Sequence, residues 1–480
     1  MPYPFTLPTT SHISFSDFFS SSTHPSLPLS ATTSRGVLRD ALKRHKRLPL
    51  SSQASNLPSI LAALNEYIPY LLALDNGLSG QNIANEEIDV VLQNELIVEW
   101  RTTLSSTIPG REPPRVKLRS LEVEIFFVLT TLAETYILLA RSQLHALYNP
   151  SAFLSPEQRT AAIAAAMKHL LDANAAHAYL VARSQHSHSP PATGPPDISP
   201  PLHSALAALS LAEATLIAVL KDDPYPSVVA DARNKENKDW MFKAPSIPKV
   251  RAHLFARLCI AASEHAARAA VMLGRVKGVD EGLIKYVDDL RRTAKARACR
   301  FFGIDAEAGG ATAEGIAWLR GAKGELGIMV GKEGEEGKVS GLSKLKKGWQ
   351  ERREDKRVEK GGEWGIDAGK AEEGRVVEML EVKWVKQNDM ISTSPIPPIA
   401  PLLSRMPTGR EYHQNPPIFH PPSLDADIIT RMRAPPDPSG ETFKSQEADS
   451  ADEDEEGRGT PIGAFPGTSR EYDNSTPGYY

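Results

Sequence analysis

Cysteine is nearly absent. Two residues in 480, Cys259 and Cys299, cannot make a disulfide framework, and both fall inside helical patterns, as reduced buried thiols do. An excess of one charge is missing too. A net charge of −4 sets up no global field that would recruit nucleic acid or an anionic membrane. No uninterrupted apolar run approaches the ~18 residues of a spanning helix. The opening MPYPFTLPTTSHISF has no basic stretch followed by an apolar one, so secretion is not expected. Alternating apolar and polar residues are rare. Only ISFSDFF, at 13–19, alternates enough for a short strand or an irregular arm.

Chemistry-bearing patterns are equally scarce. His186 and His188 form an HSH stretch, but it sits in a Pro/Ser loop without cysteine or acidic partners, so a linker is expected rather than a metal site. Cys259 has His253 and His265 nearby in sequence, yet they lie on different helical phases and no activating loop accompanies them. The glycines of GKEGEEGK, at 331–338, lack the preceding strand and the Lys-Ser/Thr ending of a phosphate loop. Lys344, Lys346, Lys347, Arg352, Arg353, Lys356 and Arg357 make a local basic cluster, diluted by Glu351, Glu354, Asp355 and Glu359, which reads as a solvated face, with weak membrane contact as the alternative. Nothing points to a catalytic group, a cofactor or a metal.

Helices are what the chain has in abundance. Residues 111–144 contain the most informative pattern: Leu118, Leu121, Ile125, Val128, Leu129, Leu132, Tyr136 and Leu139 recur every three or four residues. Phe126, Phe127, Ile137 and Leu138 occupy the other side, so this helix must be covered nearly all round. The helix itself is expected from about 116 to 147, and at ~1.5 Å per residue it reaches ~45 Å. Further helical patterns occupy about 36–47, 55–75, 86–104, 155–184, 201–221, 248–273, 280–302, 312–326 and 374–386, with an exposed charged helix over 342–360. Ser155-Pro156-Glu157 is a strong start, with Pro at the first helical position. From Pro395 aliphatics thin out, prolines multiply, and Glu447–Glu456 is acidic, so a disordered tail is expected over 405–480. Within 248–273 two apolar stripes stand out: Val250, Leu254, Leu258 and Ala261, and beside it Phe255, Cys259 and Ala262. One stripe serves the core; the second is either core or a groove for a partner helix.

Five segments together resemble the Bro-one domain, the scaffold domain shared by Alix and its fungal relatives. They are EIFFVLTTLAETYILLA at 124–140, AAAMKHLLDANAAHAYL at 164–180, DISPPLHSALAALSLAEATLI at 197–217, EGIAWLRGA at 314–322 and QNDMISTSPIPPIAPL at 387–402. Thr130 and Thr131 stand where the family has Phe-Asn, and Leu138 where it has Gln, so the branch is divergent. With the opening segment and LRDALKRHKRLP at 38–49, the layout is similar to a fungal pH-response branch of the family.

The resemblance implies an all-α fold: a curved helical scaffold with a tetratricopeptide-like core over residues 1–404, a small N-terminal β region, and no enzyme activity. It implies an adaptor in alkaline ambient-pH signalling that binds the C-terminal amphipathic helix of the polymer-forming ESCRT-III subunit. A calpain-like protease of that pathway, which processes a transcription factor, is a further implied partner. Nucleic acid is not. The protein would be cytoplasmic and recruited to plasma-membrane-associated or endosomal sites, its membrane association indirect. A generic adaptor in endosomal cargo sorting is the alternative. Carried over by position, the partner surface comprises Val250, Leu254 and Leu258, with Ala218 on the preceding helix and Ile316 and Leu319 near the fourth segment.

Overall fold

The computed structural model describes residues 2–84, 86–107, 112–148, 155–185, 194–226, 228, 247, 249–328 and 364–435. Contacts divide the chain into two compact units, Met1–Ala434 and Pro435–Tyr480. The first is built from helices α1 (Leu27–Arg47), α2 (Leu50–Leu78), α3 (Leu121–Tyr148), α4 (Pro156–Ser184), α5 (Pro200–Leu220), α6 (Lys249–Leu273), α7 (Glu281–Ala308), α8 (Thr312–Glu325), α9 (Lys370–Gln387), α10 (Ile399–Ser404) and α11 (Ala426–Met432). From α1 to α9 each helix packs on its neighbour in sequence. Among the described residues strands are confined to two antiparallel pairs: β1 (Phe19–Ser20) with β2 (Val91–Leu92), and β3 (Ile97–Arg101) with β4 (Arg115–Arg119).

The long apolar pattern forms α3, and α3 joins the two hydrophobic cores. Its first half, including Phe126, Phe127 and Leu129, packs with α1, α2 and the β pairs. Ala133, Ile137, Ala140 and Leu144 pack with α4 to α9. By length and composition α2, α3 and α5 could each cross a membrane, but most of each apolar window is buried inside the protein. A helix covered on all sides needs no polar face, so core composition here matches membrane composition.

Polar residues fix the joints. Glu124, in the first turn of α3, accepts hydrogen bonds from Arg35 Nε (2.7 Å), Tyr67 OH (3.0 Å) and Trp100 Nε1 (2.6 Å), so α1, α2 and β3 meet at one buried carboxylate. Asp197, before α5, accepts from the Thr103 and Leu104 amides (2.7 and 3.0 Å) and from Ser105 Oγ (2.6 Å). Arg300 is fully buried and pairs with Asp223 and Glu373, each at 2.6 Å. The start of α4 is a capping box between Ser155 and Gln158.

Three expectations change. The helix expected over 86–104 is replaced by β2 and β3. Val98 and Trp100 point inward while Ile97, Glu99 and Arg101 point outward, a period of two inside an apolar-rich stretch. The long helix begins at Leu121 rather than near 116, because Arg115–Arg119 pairs with Ile97–Arg101 and Ser120, at φ 124°, turns the chain. The compact unit extends past the expected boundary at 404, to Ala434. A few anchors hold this extension, with Leu424, Ile429 and Met432 buried, and composition averaged over 76 residues hides them. The HSH stretch, the 331–338 glycines, the 342–360 helix with its basic cluster, and the acidic run lie outside the described residues.

Candidate docking site

Helix α6 carries the stripe singled out in the sequence. Leu254 is half-buried and rests on the larger core, and Ala218 on α5 is likewise half-buried. One turn further, Leu258 is buried. The side chain of Val250 lies outside the described residues. Ile316 and Leu319 are fully buried, a correction to their placement on the partner surface. The reason lies in their helix: α8 is clamped between α7 and α9, and at the α7–α8 crossing a β-carbon on Gly303 or Gly315 would meet the other's carbonyl at 3.0 Å. Glu314, partly exposed, and Trp318, buried in the core, line an open cleft of about 360 Å³. His253, Phe302 and Asp305 line the same cleft, one residue from Leu254, and Arg405 and Pro407 close its far side.

Residues 406–413 form a strap across α6. The Arg410 amide donates to the Arg257 carbonyl at 3.0 Å, and Arg257 Nε donates to the Thr408 carbonyl at 3.2 Å. His265 Nε2 meets Glu411 Oε2 at 2.8 Å. Burial lowers the His265 pKa, and the Glu411 carboxylate opposes that shift. The face of α6 touched by the strap, Arg257, Ala261 and Glu264, continues from Leu254 at helical spacing. The strap therefore covers the middle of that face and leaves Leu254, in its first turns, half-open. Beyond it, Phe419 packs on Tyr179 of α4 at 5.3 Å, and the Ala434 amide donates to the Thr23 carbonyl at 2.7 Å. The strap was not legible in the sequence; the short spacing Thr408-Gly409-Arg410, with a glycine where chains cross closely, was its only signal.

The site offers surface rather than reactivity. Cys259 lies beneath it, and burial pushes its thiol up to about 12, as it does that of Cys299. A thiol so shifted is neither an effective nucleophile nor a ready metal ligand at neutral pH. Among the described residues no group of three or more His, Cys, Asp or Glu side chains is placed to hold a metal ion. Half-buried Leu254 on α6 and Ala218 on α5 offer apolar surface, and the cleft that begins at His253 has aromatic and acidic walls.

No protein-family model matches the chain. It is 47% identical over 508 aligned positions to the pH-response regulator protein palC of Emericella nidulans, covering 97% of this chain and 99% of that protein. Among solved structures it is similar to the ALIX BRO1 domain in complex with CHMP4C, at 14% identity and a TM-score of 0.49, covering 89% of this chain and 97% of that one. It is also similar to a Bro1 domain studied for endosomal targeting, at 14% identity and a TM-score of 0.48, covering 90% and 95%.

Proposed function

The chain belongs to the family of the pH-response regulator palC, and from that we propose that it is a non-enzymatic adaptor of fungal alkaline ambient-pH signalling. The observation that carries this reading is the extent of the match, 47% identity that takes in 97% of this chain and 99% of that protein.

Its partner in this reading is the C-terminal amphipathic helix of the polymer-forming ESCRT-III subunit, as the Bro-one resemblance of the sequence implies. Leu254 and Ala218 supply the contact, with Val250 continuing it toward the start of α6. Leu258, one turn along α6, is buried and supports it from beneath. Docking there gathers the complex in which a calpain-like protease processes a pH-response transcription factor, at plasma-membrane-associated or endosomal sites. Each apolar anchor of a docked helix contributes about 1.5–3 kcal/mol before the costs of association.

The test is binding of the synthetic ESCRT-III C-terminal helix to wild type and to Leu254→Asp, with thermal melting on the same preparations. Lost binding with an unchanged melt supports the site. Retained binding with an intact fold overturns it. In cells, Leu254→Asp should block processing of the transcription factor at alkaline pH while endosomal cargo sorting continues; a sorting defect with normal processing would favour the cargo adaptor.

A further inference from the structure

A net charge of −4 conceals a strongly basic face on the first core. The last three turns of α1 carry Arg39, Lys43, Arg44, Lys46 and Arg47 against one acid, Asp40. The β3–β4 pair lies beside them, because Glu112 binds Lys46 of α1 at 2.7 Å and Arg101 of β3 at 2.6 Å. With Val116 and Leu118 packed toward the core, the period of two turns Arg115, Lys117 and Arg119 outward. Arg101 stands across from Arg115, and Ile97 across from Arg119. Partial burial lowers the Lys43 pKa, and Arg39, Arg115 and Arg47 lower it further, so the helix and the strand form one field.

The acids on this face are Asp40, Glu95, Glu99 and Glu112. Asp40 pairs with Arg39, Glu95 with Arg119 and Glu112 with two cations, while Glu99 stands opposite Lys117. Lys43, Arg44, Arg47 and Arg115 have no acidic partner within salt-bridge distance among the described residues. Aliphatic side chains are interspersed with the cations: Leu50 is 66% exposed just after Arg47, Val37 is 47% exposed on α1, and Ile97 is 42% exposed on β3.

We propose that this face, α1 from Val37 to Arg47 with the outer side of β3–β4, docks on an anionic lipid bilayer. Unpaired cations complement the surface potential of an acidic leaflet, and exposed aliphatics such as Val37, Leu50 and Ile97 suit the headgroup boundary. The same aliphatics argue against nucleic acid, which would be met by aromatic platforms and planar hydrogen-bonding groups. This surface belongs to α1 and the β pairs, whereas the docking site is on α5 and α6, so one molecule can hold a bilayer and a partner helix at once.

The experiment is co-sedimentation of the full-length chain with vesicles of phosphatidylcholine alone and with about 30 mol% phosphatidylserine. Binding should require the anionic lipid and be released at about 0.5 M NaCl, where screening is nearly complete. Each basic side chain brought to an acidic surface is worth about fivefold in partitioning. Arg44→Gln with Arg47→Gln and Lys117→Gln should therefore weaken binding about 100-fold. Arg275→Gln with Lys277→Gln and Lys285→Gln removes equal charge from exposed positions elsewhere and should leave binding unchanged. Thermal melts confirm that both variants fold. Inorganic phosphate at matched ionic strength should not compete. The proposal is overturned by absent wild-type binding, equal binding to neutral vesicles, equal loss in both triple variants, displacement by phosphate, or retention of duplex DNA without retention of vesicles.

Discussion

Gly409 sits directly on Ala261. A β-carbon at Gly409 would stand 2.6 Å from the Ala261 nitrogen and 2.7 Å from its Cα, and backbone inside a helix cannot move aside. Gly409→Val should lift the strap from α6. Limited proteolysis should then cleave within 405–425 several times faster than in wild type, with stability reduced by about 1–3 kcal/mol. An unchanged cleavage pattern would show that the strap is not seated as described.

Glu124→Gln tests the buried joint. The amide keeps the volume but leaves Arg35 without a counter-charge and puts an NH2 group where only acceptors fit. A loss of about 3–5 kcal/mol is expected in denaturant titrations. Because α1, α2 and β3 all meet at this carboxylate, the loss should appear as a lower midpoint of one transition.

Core and surface along α6 separate by substitution. Leu258→Ala and Ile316→Ala remove buried side chains and should each cost about 2–5 kcal/mol. Leu254→Asp, at a half-buried position on the same helix, should leave the melt nearly unchanged. A collapsed melt for Leu254→Asp would return this residue to the core.

Stability should fall between mildly acidic and neutral pH. Burial raises Glu213 to about 7, although Tyr286 donates to it at 2.5 Å. The folded protein thus holds a proton that the unfolded chain releases once pH passes the ordinary carboxylate value. This contribution is complete below pH ~4.5, falls as pH rises and is lost through pH ~7, a span of roughly 3 kcal/mol. Burial pushes Glu134 in the same direction. Glu213→Gln should flatten the denaturant midpoint between about pH 5 and pH 8; an unaltered slope would assign the effect to other groups.

Shortening the chain locates the end of the folded unit. Ending after Ala434 should leave the melting temperature unchanged. Ending after Ser404 removes Leu424, Ile429 and Met432 from the core, at about 1.5–3 kcal/mol for each side chain.

The helical scaffold was legible because periodicity extends over long segments: α3 to α8 lie close to where spacing predicts them. The family-like segments were informative for a physical reason. Glu124 and Asp197, in the first and third, are hydrogen-bond hubs, and such positions tolerate few residue types. Short elements were not legible. Five residues of β3 alternate too briefly to outweigh a helical reading of their surroundings, and their pairing with β4 is settled by contacts across the hairpin. The strap was invisible because extended chain has no period and its anchors are far apart. On the docking surface, spacing put Leu254 and Leu258 on one stripe, but burial depends on which neighbouring helices cover it.

The strap also bears on how this molecule comes apart. Helices that touch only their sequence neighbours make a linear array, and a linear array can fray from either end without disturbing its middle. Here the segment after α10, which itself rests on α8, crosses α6, reaches Tyr179 on α4 and, through α11, ends beside Thr23 ahead of α1. It laces the last helices to the first, so neither end is free. The array is closed like a loop of cord, and unfolding should begin with release of the lace and then proceed as one cooperative event.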